Sequence, residues 1–204
     1  MRVDKVIIRA VLSTLAAAVV LFAFVTLALC FIFPSTMMEL TFRADMNDAS
    51  VKYAKRAYKY TGEAYYLAYG LDVAVWDKDY ERIDDCGSLL LQAEGFLGYC
   101  EKRNEQLSQQ GISMTYEQYV CGQVCTAKYA LGDKSEAVEV AFSALTGNIF
   151  PKNNAVVALL SIAKRAEDDE TVNSIKTKLD GLSPALSETD KPYFEEIYAN
   201  LING

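Results

Sequence analysis

Five carboxylates crowd one short stretch of the chain: Asp77, Asp79, Glu81, Asp84 and Asp85. Carboxylate pairs do the work of many hydrolases, one as acid and the other as base or nucleophile. One reading is therefore a cell-envelope hydrolase, with Asp77, Asp79, Asp84 and Asp85 converging in a pocket and raising one another's pKa values. The plainer reading is a helix start, where the positive end of the helix dipole favours negative charge. Calcium has less support, because the spacing and glycine of an EF-hand are missing. Histidine is absent, which removes the commonest general base and the commonest metal ligand together.

The cysteines are the next candidates. Cys86, Cys100, Cys121 and Cys125 lie beyond the first apolar run. A tetrathiolate zinc site needs close C-x2-C pairs, and the chain has none. Cys121 and Cys125, four apart, share a helix face but make no redox motif. Buried small apolar residues are the first reading of all four. Disulfides are the alternative if the body lies outside the cell. No catalytic residue, metal site or cofactor is expected.

Aromatic side chains remain, with thirteen tyrosines and one tryptophan. In "YYLAYGLDVAVW", Tyr65, Tyr69, Asp72 and Trp76 recur at steps of four, three and four, on one helix face. Exposed, such a face suits an extended peptide or a partner helix. Covered, it packs on residues 48–60 or on the polar stretch near residues 97–114.

The elements that position these groups begin with an address. Residues 10–33 are 24 residues without a charge, enough to cross roughly 30 Å of hydrocarbon as a helix. A cleaved signal has an apolar region of only ~7–15 residues ending in small side chains. This run is longer and ends in Phe31, Ile32 and Phe33, and Leu29 spoils a lipoprotein site before Cys30. An uncleaved anchor in the lipid bilayer is expected. Arg2, Lys5 and Arg9 precede it, so residues 1–9 read as a cytoplasmic tail and the body as extracytoplasmic. Ala16, Ala17 and Ala18 would allow close helix contact in the membrane, the basis of a purely structural, tethering or dimerising reading.

The chain carries a net charge of −7, and about −9 after residue 34. An acidic body repels phosphate backbones, so no nucleic acid is expected as a partner. A local exception is the basic face of Lys52, Lys55, Arg56 and Lys59, either solvated or facing anionic lipid.

Residues 34–47 read as a linker or short helix, and residues 48–204 as a helical domain without strands. Helices are expected at 48–60 and 63–77, then over a long stretch to Gln110 with Gly95 and Gly98 as potential breaks. Thr115 with Gln118 opens the next as a capping box, and Asp133 with Glu136 opens another. Further helices cover 154–167 and 170–180, the second stopped by Gly181 and Pro184. Ser187 and Asp190 open a last one to about Ile202.

"YALGDKSEAVEVAFSALTG" (129–147) resembles the centre of a tetratricopeptide (TPR) repeat. Gly132 permits the turn, Asp133 caps the second helix, and Ala137 and Ala144 let the paired helix approach. Asp168 follows Asp133 by 35 residues, near the repeat length, with Leu159, Leu160 and Ala163 before it and Val172 and Leu179 after. Asp79 has the same surroundings in Gly70, Leu71 and Ala74, then Ile83, Gly87 and Leu90. The 54 residues from Asp79 to Asp133 leave about twenty as an extended helix or insertion.

The resemblance implies an all-α fold, an N-terminal transmembrane helix followed by a TPR-like helical hairpin array. It implies a concave groove lined by each unit's first helix. By position the groove holds Tyr65, Tyr69, Asp72 and Trp76, then Tyr119, Gln123, Thr126 and Tyr129, then Asn154, Ser161, Lys164 and Arg165. The expected function is non-catalytic binding of a protein or peptide partner at the membrane or envelope.

Overall fold

The computed structural model describes residues 2–112, 114–145, 154–182, 191–197 and 199. The described residues form eleven helices and no strand. The first, α1 (Arg2–Ile32), carries a 26-residue apolar stretch, Ile7–Ile32, whose most apolar 18-residue window has a mean hydropathy of 2.9 and is not buried at all. It is long and apolar enough to cross a membrane.

The next four helices alternate with very short connections: α2 (Pro34–Arg43), α3 (Asn47–Thr61), α4 (Ala64–Asp77) and α5 (Tyr80–Leu91). Of the two readings of residues 34–47, linker or short helix, the second holds for most of the stretch. Pro34 opens α2 with φ already set for a helix, and Met38 and Thr41 are buried against α3. The long stretch expected after Asp79 breaks at the first of its two potential glycine breaks, Gly95, and not at Gly98, which lies inside the next helix. Tight turns, Ala93 N–H to Leu90 O and Phe96 N–H to Ala93 O, separate α5 from α6 (Phe96–Gln109).

Beyond it lie α7 (Tyr116–Leu131), α8 (Lys134–Ser143), α9 (Ala155–Arg165), α10 (Asp169–Leu182) and α11 (Lys191–Ile197). Gly181 does not stop α10, which runs one residue past it. Pro184, Ser187, Asp190 and Ile202 lie outside the described residues. α8 ends before Ala144, so Ala137 and Ala141 are its fully buried small residues.

One turn recurs five times among the described residues: four instances join paired helices, and the fifth ends α6 at Gly111 (φ 75°), where Ile112 N–H donates to Leu107 O. Asp45, Lys78, Gly132 and Glu167 all take left-handed backbone, φ 58°, 56°, 97° and 54°. The residue after each donates its N–H to the carbonyl five back: Met46 to Thr41, Asp79 to Ala74, Asp133 to Lys128 and Asp168 to Ala163. This is the Schellman closure, which satisfies orphan carbonyls and reverses the chain. It makes hairpins of α2–α3, α4–α5, α7–α8 and α9–α10, and the members of each pair pack together. Asp79 and Asp168 then cap the following helix through Arg82 N–H (3.0 Å) and Thr171 N–H (3.2 Å). Asp133 holds the equivalent place, but its side chain makes no capping bond. Thr115 caps α7 as expected, accepting from Gln118 N–H at 3.3 Å.

Packing runs from hairpin to hairpin: α3 on α4, α5 on α7, and α7 on α9. One core holds Leu67, Leu71, Ile83, Leu90, Val120 and Val124; a second holds Val138, Leu159, Leu160, Ile175 and Leu179. Each such side chain contributes roughly 1.5–3 kcal/mol when fully buried. α7 feeds both cores, Val120 and Val124 into one, Cys121 and Cys125 into the other. A helix shared this way must be apolar on more than one side. Close approach depends on Gly87: a Cβ there would lie 2.2 Å from Val124 Cγ2.

Candidate functional site

The α4 face divides. Trp76 is 82% exposed and Tyr65 47% exposed. Tyr69 is half-buried, its ring edge-on to Phe42 of α2 at 5.7 Å and tilted against Tyr65 at 6.5 Å. The ring that was to open the groove is therefore partly spent on the α2–α3 hairpin, because α2 folds back over this end of α4. Asp72 stays at the surface and accepts a hydrogen bond from the Tyr119 hydroxyl of α7 at 3.4 Å. That bond joins the first and second sets of expected groove residues.

Around it gathers a cluster largely unforeseen in sequence. Tyr116 stacks obliquely on Tyr119 (5.6 Å) and edge-on to Tyr99 of α6 (5.4 Å). The Arg103 guanidinium lies 5.4 Å over the Tyr116 ring. Asp72, Arg103, Leu107, Ile112 and Tyr119 line a cavity of about 270 Å³. Crowding by rings raises the Asp72 pKa through desolvation, although its carboxylate reaches solvent at the cavity mouth; Arg103 and Tyr119 partly offset this. Burial pushes the Tyr119 hydroxyl up to about 12, helped by the Asp72 charge. Tyr116 is pushed up further for the same reason, and its buried hydroxyl has no hydrogen-bond partner. The signal for this cluster was present as the i, i+3 pair Tyr116–Tyr119. Its counterpart lay in the polar stretch read only as an insertion.

Gln123 and Thr126 are half-buried on α7, and Thr126 donates to Gly122 O at 2.7 Å. Tyr129 is engaged at the start of α10, its hydroxyl donating to Asp168 at 3.0 Å. Asp168 also receives Lys134 Nζ and the Thr171 hydroxyl, both at 2.8 Å. This clamp ties α7 and α8 to the start of α10.

Asn154 departs most from expectation. It is 5% exposed and caps α9 by accepting from Val157 N–H at 3.0 Å, so it is a structural residue and not groove wall. An amide before an apolar run carries that signal, because it satisfies an orphan N–H. Ser161 and Lys164 are half-buried and Arg165 is exposed; Arg165 Nε donates back to Ser161 O at 3.2 Å.

The acidic stretch is drawn apart onto three cations. Arg82 pairs with Asp48, Asp77 (3.4 Å) and Asp79 (3.0 Å). Asp84 pairs with Lys128 at 3.1 Å, and Asp85 with Lys55. This is not the converging pocket that a paired-carboxylate reading requires. Among the described residues, no group of three or more Cys, Asp or Glu side chains is placed to hold a metal ion.

Cys86, Cys100, Cys121 and Cys125 are buried and unpaired. Desolvation pushes Cys86 and Cys125 up to about 12 and Cys121 to about 11; Cys100 is raised from the same cause. They are apolar filling.

Compared with protein-family models, curated proteins and solved structures, the chain matches none.

Proposed function

We propose that this chain is a membrane-anchored, non-catalytic protein-binding module of TPR-like hairpin construction. A protein or peptide partner docks along the α4–α7 side. The observation that carries this reading is the aromatic face of α4. Trp76 is 82% exposed and Tyr65 47%, and they share their helix face with Asp72, which accepts a hydrogen bond from Tyr119. Exposing an indole costs hydrophobic free energy that a partner would recover, and Trp and Tyr are the usual anchors of such contacts.

Four hairpins closed by one turn geometry support the TPR-like reading. Stacked helical pairs of this kind make extended surfaces without a built-in reaction centre. The same proposal places the N-terminus in the cytoplasm and the helical body outside, on the strength of Arg2, Lys5 and Arg9.

The test compares intact protein with a Tyr65→Ala, Trp76→Ala variant, both captured from native membranes. Both side chains are exposed, so the fold should tolerate the change. At least one protein should be lost from the variant's eluate by tenfold or more. Recovery of the same proteins in equal amounts would sink the proposed face.

A further inference from the structure

We propose that one face of α3 is a headgroup site for anionic phospholipid, which holds the helical body down on the bilayer that α1 crosses. Lys52, Arg56 and Lys59 recur at i, i+4 and i+7, a single stripe on the side of α3 away from its buried Val51, Ala54 and Ala57. Among the described residues none of the three makes an ion pair, whereas Lys55 pairs with Asp85. Asp48, the one acid of α3, is taken by Arg82.

The stripe's depth follows from two contacts with α1. The Tyr53 hydroxyl donates to Cys30 Sγ at 2.9 Å, and the Arg56 guanidinium lies 4.2 Å from the Phe31 ring centroid. Roughly 30 Å of hydrocarbon takes up about 20 helical residues. Counted from Ala10, the first residue after Arg9, the core ends near Leu29. Cys30 and Phe31 then emerge in the headgroup layer, and Arg56 is held at that level with them. Lys52 and Lys59 flank it one turn to either side. Tyr60, 66% exposed, sits at the same edge, suited to the interface. Three unneutralised cations beside an emerging span match lipid phosphate in charge and in height. The body's net negative charge makes this stripe an exception, not a reflection of overall composition. The site goes beyond the partner-binding face and does not depend on it.

The experiment uses the full chain in nanodiscs of phosphatidylcholine, with or without phosphatidylglycerol. Amine acetylation is read residue by residue. Lys52 and Lys59 should label several-fold more slowly in the anionic discs, while exposed Lys102 on α6 should not change. High salt should remove the difference. Wild type should also melt at a higher temperature in anionic than in neutral discs. A Lys52→Gln, Arg56→Gln, Lys59→Gln variant should lose that difference. Equal labelling in both discs overturns the proposal. So does equal protection in neutral discs once inorganic phosphate is added, since the site would then take a free anion and not a lipid. A melting difference that persists in the variant overturns it as well.

Discussion

Asp168 shows how one side chain can do several structural jobs. It caps α10, accepts from Tyr129 and meets Lys134, with only 9% of its side chain exposed. Lys134 foremost, then Thr171 and Tyr129, hold its carboxyl well below the usual range, against a smaller desolvation effect. A depressed carboxyl stabilises the fold above its unfolded value, about pH 4, and that contribution is lost as pH falls through the folded value. Asp168→Asn keeps the cap but loses the charge facing Lys134, and should therefore cost up to about 1 kcal/mol at pH 7, with the gap to wild type closing in strong acid. Urea titrations at both pH values would read it. The cysteines give a second test. With thiols raised to about 11–12 by burial, Cys86, Cys121 and Cys125 should react with maleimide at pH 8 at least ~100-fold more slowly than after denaturation. Fast labelling of the folded protein would contradict this packing.

Helix contacts depend on what a short stretch omits as much as on what it contains. Gly87 lets α5 lie against Val124 of α7, where an added Cβ would be 2.2 Å from a methyl carbon. Valine is stiff at χ1 and cannot swing aside cheaply. Gly87→Ala should destabilise the protein by about 1–3 kcal/mol, despite alanine's better helix propensity. Thermal melts should show that loss, while Gly98→Ala, with open space around its Cβ position, should be neutral or slightly stabilising. At the four hairpin turns the left-handed residue is glycine only at Gly132, although Gly62 and Gly111 end α3 and α6 in the same region; Asp45, Lys78 and Glu167 accept the strain because the following N–H closes the helix behind them. Glycine alone therefore pointed to one of the four reversals.

For the molecule as a whole, charge at the ends of α1 carries the proposed orientation. Arg2, Lys5 and Arg9 sit at one end, and the α3 stripe brings Lys52, Arg56 and Lys59 to the other. Those three are distant in sequence but adjacent to the span in the fold. Insertion is decided on the unfolded chain, so the near cluster should dominate. Protease added to whole cells or spheroplasts should cleave the body. Replacing Arg2, Lys5 and Arg9 with Gln should leave a mixed population, part of it protected. A protected body in the unsubstituted chain would invert the proposed orientation.

Periodicity and punctuation were enough to read an apolar span, an all-α body and most helix positions, because helix starts and stops are local chemistry: Thr115 caps, Gly132 turns, and an uncharged run has no polar face. The candidate site was half legible. The 65–69–72–76 face followed from helical spacing alone, but its covering by Phe42 did not. The role of Asn154 as a cap was legible locally, in an amide three residues before Val157, whereas the Tyr99–Arg103–Tyr116–Tyr119 cluster required knowing how α6 folds back. Pairings such as Asp84–Lys128 and Asp168–Lys134 join residues 34 to 44 positions apart. No local pattern encodes which distant charge a carboxylate will meet, because that is settled by which helices share a core.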